Sequence, residues 1–261
     1  VTRIDMTTRE WHELLKPVLP HAASDKDSPE LDVIRLELGE TALYAVATDR
    51  CTLAAERWPL PGAGLVPPGR REVVHLAARE IAASLKLFTH SKDDDPVLSV
   101  MLDEVPASVT AAGQLHSVMR LGVTVQQAGD GTRLVLHDIR DPSRDPLGAW
   151  RKSVHAAMAR PAGRALDGLD LYAGMLARWT AAARKGERLT MYSGPGPGDP
   201  ILVTVEQHFA GVWAIPQYLD GPGKTLAALP WHRELNGSGI DLETGERLAG
   251  GQGEDDHGGQ L

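Results

Sequence analysis

The chain has 261 residues, of which 42% are hydrophobic and 24% charged, so it can bury a core unaided, and neither wholesale disorder nor a fibrous architecture fits. A formal net charge of −8 argues against nucleic-acid binding through bulk charge and leaves only a local basic face for that purpose. The single cysteine, Cys51, excludes an internal disulfide and a cysteine-rich zinc site; no apolar run approaches the ~20 residues of a membrane-spanning helix and no signal-peptide core opens the chain, so a cytoplasmic protein is expected.

From Thr7 to about His21, Trp11, Leu14, Leu15, Val18 and Leu19 recur at helical spacing behind a threonine N-cap, with Pro17 bending or ending the helix. Strands at 31–38, 41–48 and 51–58 follow as a meander around Gly39 and Glu40. Beyond the proline- and glycine-rich stretch 59–69, Val73 and Val74 form a short strand that leads into a helix over Leu76–Phe88, striped by Ala77, Ile81 and Leu85. Strand patterns return at 97–103, 106–112, 115–126 and 132–139. A third, shorter pass has helices at 149–160 and 169–184 and strands at 188–193, 200–206 and 209–215. The chain therefore reads as a coarse repeat of helix plus small antiparallel sheet. Residues 221–261 hold seven acids against three bases among many glycines and read as a weakly ordered tail.

Arg9 and Lys16, Arg79 and Lys86, and Arg178 and Lys185 are each seven residues apart, which places both charges of a pair on one helix face. Such stripes suit either ordinary solvated faces or a surface aimed at phosphates. Motifs for chemistry fail. His12-Glu13-Leu14-Leu15-Lys16 has lysine where the second zinc-binding histidine must stand, and Gly223-Lys224-Thr225 is preceded by Tyr218 where a phosphate loop needs glycine. Ser238 lacks the flanking glycines of a nucleophile elbow, and the ten histidines form no cluster. A binding or scaffolding role without cofactor or metal is expected, not an enzyme.

Two segments carry a resemblance. Residues 43–54, with Thr48, Asp49, Leu53 and Ala54 in register, resemble the hallmark strand-turn-strand in the middle domain of the bacterial DNA sliding clamp, the DNA polymerase III β subunit, where a Gly-His-Arg stands in place of Arg50-Cys51-Thr52. Residues 212–219, with Ile215, Pro216 and Leu219 matching, are similar to that family's closing strand, and Trp150-Arg151-Lys152 lies where its aromatic-basic linker would fall. The resemblance implies an α+β fold of DNA-clamp-like modules, with antiparallel sheets outside and basic helices lining the inner face. Its domains would be a clamp-like 1–145, a shortened clamp-like 146–220 and the acidic tail 221–261.

It further implies a processivity or tethering factor of DNA replication that encircles double-stranded DNA as a homo-oligomer, associated with the nucleoid. DNA polymerase and other proteins with clamp-binding motifs would be its partners, with a clamp loader among them. The DNA-facing charges would be Arg9, Lys16, Arg79, Lys86, Arg151, Lys152, Arg178 and Lys185. Partner peptides would dock in a hydrophobic groove with Thr48 and Leu53 on one wall and Trp213, Ile215, Pro216 and Gln217 on the other. A second reading, favoured by the shortened last module and the acidic tail, is a clamp-derived peptide-binding or decoy module that forms no ring.

Overall fold

The computed structural model describes residues 2–24, 28–62, 71–111, 114–129, 131–139, 145, 147–159, 173–193 and 199–214. Strand β1 (Thr2–Thr7) runs directly into helix α1 (Thr8–Leu15). The sequence pattern shows no sign of β1, yet its alternation is clean, with Ile4 and Met6 buried and Arg3 and Asp5 facing out. At the junction Thr7 closes a capping box: its hydroxyl accepts from Glu10 N (3.2 Å) and its own N–H donates to Glu10 Oε2 (2.7 Å). Helix α1 stops two residues short of Pro17, which cannot donate to the ladder.

Strands β2 (Val33–Leu38), β3 (Ala42–Thr48) and β4 (Thr52–Pro59) form the expected meander. Then β5 (Glu72–Ala77), α2 (Ala78–Leu87), β6 (Val97–Ala111), β7 (Gln114–Gln127) and β8 (Arg133–His137) repeat the order strand, helix, three strands. The two repeats exchange their first strands: one sheet runs β1-β6-β7-β8, while β5 joins β2-β3-β4. All strand pairs are antiparallel. Because each repeat completes the other's sheet, neither can close its hydrogen-bond ladder alone. The sequence pattern breaks β6 in two ahead of Pro106, whereas the strand is continuous. Strand β1 covers β6 only as far as Leu102, so Pro106 lies where β6 has a single neighbour and a missing N–H is tolerated.

Helices α3 (Trp150–Met158) and α4 (Ala173–Thr180) precede β9 (Leu189–Tyr192), β10 (Ile201–Val205) and β11 (Phe209–Trp213). Helix α4 ends earlier than the pattern suggests: Thr180 Oγ1 donates back to Ala177 O (2.7 Å), and turns occupy 181–186. Strand β11 pairs with β4, Phe209 opposite Glu56 and Trp213 opposite Thr52, so one sheet reads β5-β2-β3-β4-β11-β10-β9.

The main core joins Trp11, Leu14 and Leu15 of α1 and Ile81 of α2 to the inward rows of both sheets, and takes Trp179 of α4 against Phe209 and Trp213. A smaller cluster lies on the other face of the seven-stranded sheet, where Val33, Val46 and Ala55 meet Leu147, Trp150 and Val154. Strand alternation thus puts α1, α2 and α4 on one face of this sheet and α3 on the opposite one.

Candidate functional site

Two features could serve recognition, a groove beside α3 and the exposed row of α1 and α2. The groove begins at the β3–β4 turn. Asp49 Oδ1 accepts from Cys51 N (3.1 Å), Thr52 N (2.6 Å) and Thr52 Oγ1 (2.8 Å), while Thr48 Oγ1 donates to Thr52 O (2.6 Å). This side-chain cage holds Arg50 at a φ of 73°, in the left-handed region. Burial pushes the Asp49 carboxyl up, but hydrogen bonds from Thr52 and the Arg178 guanidinium outweigh it and leave Asp49 below its ordinary range. Beneath the turn His21 is fully buried, and burial drops its pKa to about 4. Thr52 gives its one hydroxyl proton to Asp49, so neutral His21 donates from Nδ1 to Thr52 Oγ1 (3.0 Å).

Above this turn Leu147, Ala149, Trp150 and Ser153 from α3 and its approach face Thr48, Leu53, Val212 and Ala214 across a cleft of about 240 Å³. Thr48 and Leu53, opposite one another in the β3–β4 register, line this cleft together. Trp213 does not join them: it is 2% exposed and packs on Trp179 in the main core. A strand's alternation turns its neighbours Val212 and Ala214 toward the cleft instead. Ile215, Pro216 and Gln217 lie outside the described residues. The α3 side of the cleft is not among the expected groove residues, and Trp150 in the aromatic-basic segment is the one sequence signal for it.

The expected cations divide. Arg9, Lys16, Arg79 and Lys86 are exposed on α1 and α2 and at the cap of α1, and Lys185 is exposed in the turn after α4. Arg9 also leans on Asp95 (3.4 Å). Arg178 is committed to Asp49. Arg151 and Lys152 are corrected to the far face, on α3. Arg151 is a strut there: Nη1 donates to buried Glu37 Oε1 at 2.6 Å, and its guanidinium lies over Tyr44 (4.6 Å) and Trp150 (4.4 Å). Trp150 Nε1 (3.1 Å) and Arg35 Nε (3.1 Å) also donate to Glu37, which pins α3 to the sheet.

A third cluster staples β4 to the last strands. Glu56 Oε1 accepts from His208 Nδ1 (2.8 Å), His208 Nε2 reaches Glu187 (3.2 Å), and Arg184 lies between Glu13 (3.3 Å) and Glu56 (3.6 Å). Burial raises Glu56 to about 7, and the hydrogen bond to Glu56 raises His208. Among the described residues no group of His, Cys, Asp and Glu is arranged to hold a metal ion, and no helix is long and apolar enough to cross a membrane.

By sequence the chain matches no family profile and no curated protein. Solved structures do match. The DNA polymerase sliding clamp of Bacillus subtilis superposes with a TM-score of 0.53 at 11% identity, covering 83% of this chain and 64% of that one. A putative DNA polymerase III beta subunit of Eubacterium rectale gives 0.55 at 10%, over 83% and 66%. The A. fulgidus PCNA bound to the C-terminal region of FEN-1 gives 0.51 at 12%, over 82% and 98%. The chain thus spans just under two thirds of the length of these bacterial clamps. With its antiparallel sheets and few helices the chain matches the DNA sliding clamps, and that is its fold.

Proposed function

We propose that this protein is a non-enzymatic, sliding-clamp-type tether, which holds duplex DNA against the α1 and α2 side and docks partner peptides in the groove beside α3. One observation carries the reading. Opposite faces of a single sheet bear the two features a tether needs, the exposed cations Arg9, Lys16, Arg79 and Lys86 on one and an apolar cleft at Thr48 and Leu53 on the other. Such cations contact phosphates without reading bases, which suits sliding. The likeness to a PCNA structure that carries the C-terminal region of FEN-1 supports peptide docking, with a DNA polymerase and a clamp loader as candidate partners in a nucleoid-associated setting.

In this reading 1–145 is one clamp module, and 146–220 a shortened one whose strands extend its sheet. A homo-oligomer closes the ring. The test is retention on nicked circular duplex DNA, with linear DNA as control. A closed tether stays on the circle after a salt wash and slides off when the circle is cut. Equal loss from both forms, together with peptide binding, would favour the module that docks peptides without a ring. The placement of Arg151 and Lys152 on the far face and the commitment of Arg178 to Asp49 lend that second reading its support.

A further inference from the structure

A second cleft, of about 540 Å³, opens on the α1 side of the seven-stranded sheet, where β4 meets the turn between β10 and β11. Strand alternation turns Glu56 and Trp58 to this side of β4 together with Ala54, and Arg57 to the other side with Ala55. Glu56 is 1% exposed, and the two cations that reach it, His208 through Nδ1 (2.8 Å) and Arg184 through Nη2 (3.6 Å), both address Oε1. Its Oε2, equally shielded from solvent, has no hydrogen-bond partner. A buried carboxylate oxygen without a donor is costly to keep, and a ligand that brings one removes the cost. We propose that this cleft binds a small aliphatic amine, whose ammonium group donates to Glu56 Oε2.

The lining fits such a ligand. Glu10, Glu13 and Glu206 join Glu56 around the cleft, and Glu206 is exposed with no ion pair among the described residues. The charges of Arg184 and His208 are already engaged: Arg184 lies between Glu13 (3.3 Å) and Glu56, and His208 Nε2 reaches Glu187 (3.2 Å). The local field therefore favours a cation over an anion. Leu14, Trp58 and Pro59 supply apolar surface for an alkyl chain, and the volume is that of a small-molecule site. Occupancy is coupled to pH in one direction. Burial holds Glu56 near 7, so at neutral pH part of the population carries a proton that an ammonium ion displaces, and affinity rises as pH rises. Glu13 of α1, Arg184 and Glu187 of the segment after α4 and His208 of the β10–β11 turn are the charged groups around Glu56. His208, raised by its hydrogen bond to Glu56, acts in the same sense as it loses its own proton.

The test titrates 1,5-diaminopentane into the full chain by calorimetry at about 0.15 M salt, which screens diffuse attraction to an acidic protein. Pentamethonium, the bis-quaternary ammonium ion of the same chain length, is the control. The diamine is expected to bind about tenfold more tightly than pentamethonium, which has the same charge but no N–H to donate, and about fivefold more tightly at pH 8 than at pH 6. Glu56→Gln should weaken the diamine about tenfold and remove most of the pH dependence, with the fold checked by circular dichroism. Glu206→Gln, on the exposed rim, should weaken it about twofold. No binding by the diamine, equal binding by pentamethonium, or an affinity unmoved by both substitutions would overturn the inference. The comparison of the two ligands uses the unaltered chain, so it decides the matter even where Glu56→Gln fails to fold.

Discussion

Glu56 is 1% exposed on β4 and lies 2.8 Å from His208 Nδ1, and this pair makes stability depend on pH. Burial first, and only partly offset by His208, holds the folded Glu56 pKa near 7 against an ordinary 4.5, so the folded chain binds that proton more tightly than the unfolded one. The hydrogen bond to Glu56 raises His208 in the same sense. Stability contributed by both is therefore lost as pH rises through the folded values. His21 opposes them lower down: with its folded pKa near 4, the unfolded chain takes up the proton below 6.5, and stability rises with pH over that interval. The two trends offset one another below 6.5, so the net fall appears above it. Urea unfolding at pH 6.5, 7.3 and 8 should show a decline on the order of 1 kcal/mol, which Glu56→Gln flattens. An unchanged slope in that variant would remove Glu56 from the account. None of this was legible in the sequence, where Glu56 and His208 stand 152 positions apart and only the β4–β11 register brings them together.

At the scale of elements, the seam between β4 and β11 depends on a residue with no side chain. A Cβ built on Gly211 would lie 2.2 Å from Trp179 Cζ3 and 3.0 Å from Leu53 O, so α4 can settle on the sheet only because position 211 is bare. Gly211→Ala should cost roughly 1–3 kcal/mol in urea unfolding, with Trp179 shifted toward water in its emission. Full stability with unchanged fluorescence would show that the packing there yields freely. Most helices and strands could be read in advance, because the period-3.6 row of Trp11, Leu14, Leu15 and Val18 and the period-2 row of Ile34, Leu36 and Leu38 are local signals. The exchange of β1 and β5 and the β4–β11 pairing are long-range choices that no local period encodes. The motif singles out Thr48 and Leu53, which line the cleft, whereas Trp213 turns into the core and its neighbour Val212 lines the cleft instead. A single step along a strand reverses the face, and no local feature distinguished Trp213 from Val212.

For the molecule as a whole, the question is whether its acidic surface bears DNA through bulk charge or through one face. A bulk effect would respond alike to any cation removed, while a face-specific one would distinguish α2 from α3. Arg79 and Lys86 are exposed on α2, and no ion pair to either is found among the described residues, unlike Arg9 with Asp95. Lys152 is equally exposed but lies across the sheet. Reversing Arg79 and Lys86 together to Glu should weaken binding to duplex DNA about tenfold at low salt and flatten its salt dependence, since a face that neutralises fewer phosphates displaces fewer counterions. Lys152→Glu should leave DNA binding within about twofold. Titration of a labelled duplex against both variants, with their circular dichroism matched, separates the cases. Equal weakening from α2 and α3 would make the interaction one of bulk charge, and no weakening from either would take the DNA from the α2 face. Weakening from α2 alone leaves α3 and its groove free for a partner while DNA is held, which is the division of labour a tether requires.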